Sequence, residues 1–315
     1  MAKTSGKKAT KAARKAADLR EKLEKYDRKA VEAVAPAPPP RLAELLRPGA
    51  GFRLADVDPH STPGFPGTKQ EGEAALAAGA EQLSQLQERL FAASKGGDRR
   101  SVLLVVQGMD TAGKGGIMRH VVGSVDPQGV HITAFKAPTE EEKQHDFLWR
   151  IRKAVPSPGM IGVFDRSHYE DVLIVRVHEL VPRDVVEARY DQINAFEREV
   201  AESGTAIVKV MLHISPEEQK ERLTERLARD DKHWKYNPGD VDERLRWHDY
   251  QEAYEIALER CSTDVAPWHV VPADRKWYAR WAVQQLVLDA LTTLDPQWPA
   301  ADFDVEAEKV RLALA

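Results

Sequence analysis

The sequence predicts a three-layer α/β fold, a parallel five-stranded sheet flanked by helices. Two observations carry that prediction. Short apolar, β-branched runs at 101–106, 130–135, 160–165, 205–214 and 268–272 alternate with segments of helical periodicity, the pattern of strands buried on both faces and joined by crossover helices. The first run then breaks into a glycine-flanked loop and resumes as a helix, SVLLVVQGMDTAGKGGIMRH at 101–120. In such sheets ligands sit at the carboxyl ends of the strands.

Each element has its own justification. Residues 41–68 mix Pro, Gly and charge without a lasting period and read as a wrapped arm. A helix over 70–93 carries Leu76, Leu83, Leu86 and Leu90 on one stripe, and Gly96-Gly97 stops it. After the 130–135 strand, Thr139 and Glu142 form a capping box for a helix through Ala154. Ser167 and Glu170 cap the segment after the strand ending in Asp165. Asp184 and Glu187 repeat the box for a helix striped by Val186, Ile193, Phe196 and Val200 and ended by Gly204. Ser215-Pro216-Glu217-Glu218 combines an N-cap, a Pro at the first helical position and a capping Glu, and the helix runs to about Arg229. Residues 230–240 break it, an aromatic-rich helix continues to about Arg260, and Trp277, Trp281, Leu288 and Leu291 mark the long helix after the last strand. The chain divides into a tail (1–40), an arm and helix (41–95), a main domain (96–300) with a lid at about 215–245, and a C-terminal helix (301–315).

Net charge is −4 over 315 residues. Residues 1–30 carry eight Lys and three Arg against four acids, or +7, which leaves −11 for the remainder. The tail is electrostatically separate from the body and ends in the stiff APAPPP at 35–40. It lacks the apolar region of a signal peptide, and no window approaches a membrane span, so the expectation is a soluble, cytoplasmic protein. One cysteine, Cys261, excludes an internal disulfide and a Cys-based zinc site; it reads as a small core residue.

Gly108-Met109-Asp110-Thr111-Ala112-Gly113-Lys114 matches the first seven positions of a P-loop, whose backbone N–H groups cradle phosphate while the Lys adds a mobile charge. Gly115, followed by Gly116, stands where Ser or Thr would ligate magnesium, so Asp110 is the substitute ligand. Asp165, ending a strand opposite the loop, would share that ion. Arg166 could fork onto phosphate oxygens or pair with Glu170. Arg222, Arg226 and Arg229 fall on one helical stripe with Lys232 and Lys235 beyond it, which suits a lid closing over phosphates. Equally, Glu218–Arg222 and Glu225–Arg229 are i, i+4 pairs of a solvated face. Trp234, Tyr236, Trp247, Tyr250 and Tyr254 could stack a base or simply pack. The histidines show no zinc spacing; His120 and His168 lie near the loop but default to structural roles.

With GMDTAGKGG, FDRSHYED, KHWKYNPGD and STDVAPWHVVPADRKWYAR in this order, the sequence resembles the polyphosphate kinase 2 family over about residues 45–295. The resemblance implies a P-loop kinase fold similar to thymidylate kinase, a helical lid, and reversible Mg²⁺-dependent phosphoryl transfer between inorganic polyphosphate and adenine or guanine nucleotides, with Mn²⁺ as a substitute ion. Asp110, Lys114, Asp165, Arg166, Arg226 and Lys235 match the family's functional positions. The lid reads Ala228-Arg229-Asp230-Asp231 where the family has D-D-P-E. Glu170 or Asp171 could orient the acceptor or a second metal. The expected partners are polyphosphate, nucleotides and further copies of the chain (dimer or tetramer), without membrane or nucleic acid. Competing readings are an ATP-dependent small-molecule or nucleoside monophosphate kinase, and a non-catalytic polyanion-binding protein acting through the tail.

Overall fold

The computed structural model describes residues 41–315; the basic tail and its Pro-rich end lie outside them. Five strands form one sheet: β1 (Ser101–Gly108), β2 (Val130–Ala134), β3 (Ile161–Asp165), β4 (Thr205–His213) and β5 (Trp268–Pro272). All pairings are parallel and the order is β2-β3-β1-β4-β5. β1 is buried along all eight residues, as its unbroken apolar run requires. β2 is half exposed at the edge, so its short apolar run covers only one neighbour.

The flanking helices, in chain order, are α1 (Leu42–Leu46), α2 (Lys69–Lys95), α3 (Lys114–His120), α4 (Trp149–Ala154), α5 (Ile174–Val177), α6 (Arg183–Glu202), α7 (Pro216–Ala228), α8 (Gly239–Leu245), α9 (Trp247–Arg260), α10 (Lys276–Leu294) and α11 (Val305–Ala313). α2 buries Leu83 and Leu90 and lies along α10. No described helix is long and apolar enough to cross a membrane. The arm at 52–65 packs on α9 and on the loop after β5: Leu54 is fully buried and its N–H donates to Glu255 Oε1 at 2.7 Å, and the Asp274 N–H donates to the Pro59 carbonyl at 3.2 Å.

Three local readings differ from the structure. The Thr139–Glu142 box forms, with Thr139 N–H on Glu142 Oε2 at 2.8 Å and Glu142 N–H on Thr139 Oγ1 at 3.2 Å, yet it opens only a 3₁₀ turn at Glu142–Gln144. Asp146 then takes the Leu148 N–H on its own side chain, a local bond that competes with continuing the helix. Asp184 does not cap α6, because Pro182 begins that helix and places Asp184 inside its first turn; Glu187 instead pairs with Arg176 and Arg260. Ser167 accepts the Tyr169 N–H, but what it opens is a 3₁₀ turn, His168–Asp171, without a reciprocal bond from the Glu170 side chain.

Behind that turn sits a charged network inside the core. Lys209 of β4, fully buried, donates to Glu197 Oε2 at 2.6 Å, Tyr169 Oη at 2.7 Å and the Cys261 carbonyl at 2.7 Å. Glu197 Oε1 also accepts from Tyr169 Oη at 2.9 Å and lies 3.2 Å from His168 Nε2. Burial acts to raise Glu197, but Lys209 and His168 hold it below the ordinary carboxylate value, while burial lowers Lys209 against the pull of Glu197. Burial pushes the neighbouring Cys261 thiol up to about 12, which leaves it an inert core residue. Lys209→Met strands the Glu197 charge and is expected to cost about 3–5 kcal/mol, whereas Lys209→Met with Glu197→Leu recovers most of it. Urea unfolding of the two variants measures the difference.

Candidate active site

The parallel register brings the predicted loops to one edge. Val106 of β1 lies opposite Asp165 of β3, and Gly108 opposite Leu212 of β4. The chain must turn sharply at Gly108, whose φ is 151°; a Cβ there would meet the Leu212 carbonyl oxygen at 2.8 Å. Gly113, φ 121°, opens α3. Between them Thr111 holds a left-handed φ of 64°, a strained state for a β-branched residue, and its Oγ1 is buried without a hydrogen-bond partner. Lys114 Nζ folds back on the loop, donating to Gly108 O at 2.6 Å and Met109 O at 3.3 Å. Met109 and Ala112 are buried beneath it, while Gly115 and Gly116 form the first turn of α3.

Arg166 also has a φ of 64°. Its Nη2 donates to Asp110 Oδ1 at 2.9 Å, so among the described residues its ion-pair partner is the loop aspartate and not Glu170. Burial opposes its charge, but Glu170 and Asp110 hold it more firmly protonated than an ordinary Arg. Glu170 is raised above the ordinary carboxylate value by burial, with Arg166 and Lys114 pulling the other way and Asp110 adding to the rise. Asp165 is the last residue of β3, one strand away from Asp110. Among the described residues no three His, Cys, Asp or Glu side chains gather into a metal cage. Two carboxylates at neighbouring strand ends suit a magnesium ion whose remaining ligands are phosphate oxygens and water.

The cations at 222–235 separate into distinct groups. Arg226 Nη1 donates to the Lys235 carbonyl at 3.0 Å and pairs with Asp240 at 3.2 Å. Arg229 pairs with Glu225 and Asp231, and Lys232 with Asp231, which is the solvated-face alternative. Lys235 Nζ lies 4.8 Å over the Trp234 ring. Arg222, expected as a phosphate ligand, is buried with every N–H taken by protein oxygens: Glu218, Thr111, Ala112, Ala273 and Asp274. His168 lies in the buried network against Glu197.

A cavity of about 200 Å³ at the loop is lined by Gly108, Asp110, Arg166, Glu170, Asp240 and Tyr254 among others. The model of the family described as "Polyphosphate kinase 2 (PPK2)" matches residues 67–299. The chain belongs to the polyphosphate kinase 2 family. It is 45% identical to the AMP/ADP-polyphosphate phosphotransferase of Meiothermus ruber, over 81% of this chain and 94% of that one. It is 40% identical to the ADP-polyphosphate phosphotransferase of Rhodopseudomonas palustris, over 82% and 91%. A crystal structure of polyphosphate kinase 2 from Arthrobacter aurescens TC1 superposes with a TM-score of 0.86 at 59% identity, covering 89% of this chain and 99% of that one.

Within this family member, several residues join the site in roles their motifs did not assign: Asp240, which closes KHWKYNPGD, and Tyr250 and Tyr254, which read as base-stacking or packing residues. Asp240 is buried and raised by that burial, with the Asp110 charge adding to the rise. Tyr254 lines the loop cavity, and burial and then Glu170 raise it well above an ordinary tyrosine. Tyr250 donates to Glu243 Oε2 at 2.6 Å, and that carboxylate also meets His178 at 2.9 Å. The one signal in the chain was the turn-rich NPGD at 237–240 beside a stripe of tyrosines at helical spacing.

Because Glu170 is raised in the folded protein, its ionisation opposes folding as the pH climbs through that raised value. Glu170→Gln is therefore expected to melt higher than the parent at pH 7–8, with a gain that shrinks to nothing below the ordinary glutamate value of 4.5. Thermal melts of both proteins across that range check the sign.

Proposed function

We infer that the chain catalyses reversible phosphoryl transfer between inorganic polyphosphate and nucleoside mono- or diphosphates, in the presence of magnesium. The observation that carries this reading is a pair of cavities sharing Arg166, Glu170 and Ile174. One is the 200 Å³ space over the phosphate loop. The other, about 590 Å³, is walled by Phe135 and Phe147 with Lys143, Arg150 and Arg189, a size and mix of apolar and cationic surface that suits a nucleotide. A polyanion held at the loop and a nucleotide held beside it would meet at Arg166. The curated relatives named for AMP/ADP- and ADP-polyphosphate transfer support the same pairing.

Phosphoryl transfer asks mainly for alignment and charge neutralisation. Lys114 exchanges its two loop carbonyls for phosphate oxygens. Arg166 keeps one N–H on Asp110 and offers the others to the transferring group, and Arg226 and Lys235 supply lid charge. Within Gly108 through Gly116, the N–H groups of Thr111 and Gly113, which have no acceptor among the described residues, provide backbone donors, since those of Ala112 and Gly116 are taken within the loop. Asp110 and Asp165 would hold the magnesium, which when bound neutralises phosphate charge; manganese accepts the same oxygen ligands. The acceptor phosphate is already ionised, so no strong general base is needed, and Glu170 orients it. Arg222 is excluded from direct contact by its saturated hydrogen bonds, and Lys232 acts at most through the lid surface.

Incubating protein, Mg²⁺ and polyphosphate with AMP, ADP, GMP or GDP should yield the next higher nucleotide; no new nucleotide phosphate in any of the four mixtures would refute the reading. Lys114→Ala and Asp165→Asn should each lower turnover by roughly 10²–10³-fold while the melt is unchanged. Removing residues 1–35 should leave most turnover intact, which separates this proposal from polyanion binding by the tail. Assembly into a dimer or tetramer is part of the proposal and is read by sedimentation.

A further inference from the structure

The geometry points to Gln219 and Arg222 as positioning residues: two side chains of the first lid helix that set the phosphate loop from behind and tie its shape to the lid. The inference rests on the reading of residues 108–116 as the phosphate cradle, and it replaces direct contact by Arg222 with an action through the backbone.

Both side chains are buried, Gln219 at 1% and Arg222 at 5% exposure. Gln219 Nε2 donates to the Asp110 carbonyl at 3.1 Å. Arg222 Nη1 donates to the Thr111 carbonyl at 2.9 Å and the Ala112 carbonyl at 3.0 Å. Three consecutive loop carbonyls are thus held toward α7. A trans peptide is planar, with its C=O and the next N–H pointing in opposite directions. Holding Asp110, Thr111 and Ala112 carbonyls on one side therefore turns the N–H groups of Thr111, Ala112 and Gly113 to the other. Ala112 N–H is taken by Met109 O, while those of Thr111 and Gly113 have no acceptor among the described residues. The strained φ of Thr111 persists for the same reason, since its peptide is clamped on both sides.

The clamp is anchored at its far end. Arg222 Nη2 donates to the Ala273 carbonyl at 2.7 Å and the Asp274 carbonyl at 3.0 Å, and Nε to Glu218 at 2.7 Å, so all five N–H groups of the guanidinium are used. Asp274 in turn accepts the Ser215 N–H at the start of α7 at 2.8 Å. Gln219 Oε1 accepts from Arg244 of α8 at 2.9 Å, and Arg244 also donates to the Pro216 carbonyl at 2.6 Å. A continuous run of hydrogen bonds therefore joins α8, α7, the phosphate loop and the loop after β5. Lysine cannot reproduce this fork, having three donors on one nitrogen. At a direct phosphate contact, by contrast, lysine is a serviceable substitute.

The test uses the full chain and titrates tripolyphosphate by calorimetry, so it reads the cradle even if nucleotide transfer fails. Gln219→Leu, Arg222→Lys and Arg222→Ala are compared with the parent, with circular dichroism and melts alongside. The expected result is at least a tenfold loss of tripolyphosphate affinity in Gln219→Leu and Arg222→Lys, and partial recovery of Arg222→Ala by millimolar guanidinium, too dilute to unfold the protein. Affinity within twofold of the parent in folded Arg222→Lys overturns the inference, because that is the behaviour of a plain charge contact. If the Arg222 variants do not fold, Gln219→Leu decides alone, and unchanged affinity there overturns it equally. Absence of nucleotide transfer by the parent, with tripolyphosphate binding intact, would sink the proposed reaction and leave this inference standing.

Discussion

The alignment of parallel strand ends is the constraint on which the molecule rests. A parallel sheet needs crossover connections, and those deliver every βα loop to the same edge. With β1 at the centre and buried along its whole length, the loop after it emerges between the ends of β3 and β4. Gly108 faces the Leu212 backbone too closely for any side chain, and Asp165 stands opposite Val106. The phosphate loop and the acid of the neighbouring strand are thus neighbours through pairing register, before any side chain acts.

Concentrating charge at that edge has a cost that the structure distributes. Glu170 and Asp240 are both driven up by burial, and each feels Asp110 as a like charge. Arg166, Lys114 and Arg226 offset this without cancelling it. The core behind the site is treated in the opposite manner. Lys209, Glu197 and Tyr169 hydrogen-bond one another, with the Cys261 carbonyl taking the remaining Lys209 donor, and through Tyr169 they hold the turn that carries Glu170. A satisfied buried network specifies one arrangement of that turn.

Helix α7 shows how one short stretch carries two different faces. Its outer face is the salt-bridged surface that i, i+4 spacing describes, with Arg229 tied to Glu225 and Asp231. Its inner face presents Gln219 and Arg222 to the loop carbonyls. Arg222 belongs to the i, i+4 pattern too, through Glu218, so spacing alone could not separate a surface pair from a buried clamp. Burial separates them, and burial depends on what α7 packs against.

What the sequence determined by itself is everything carried by local pattern: five apolar runs, the glycines of the phosphate loop, the Ser215-Pro216 helix start, and an order of motifs dense enough to imply the family. These signals are written within a few residues of one another, and backbone sterics and hydrophobic periodicity read them directly. The tertiary structure alone decided which charges meet. Arg166 faces Asp110 across 56 positions, Arg222 reaches the loop across 111, and Asp240 joins the site from the far side of the lid. The broken helix after Thr139 is a different case, because the bond that interrupts it, from the Leu148 N–H to the Asp146 side chain, is local. A pairwise contact between distant residues has no trace in either partner's neighbours, because it is fixed by how helices pack over the sheet and not by the chain on either side.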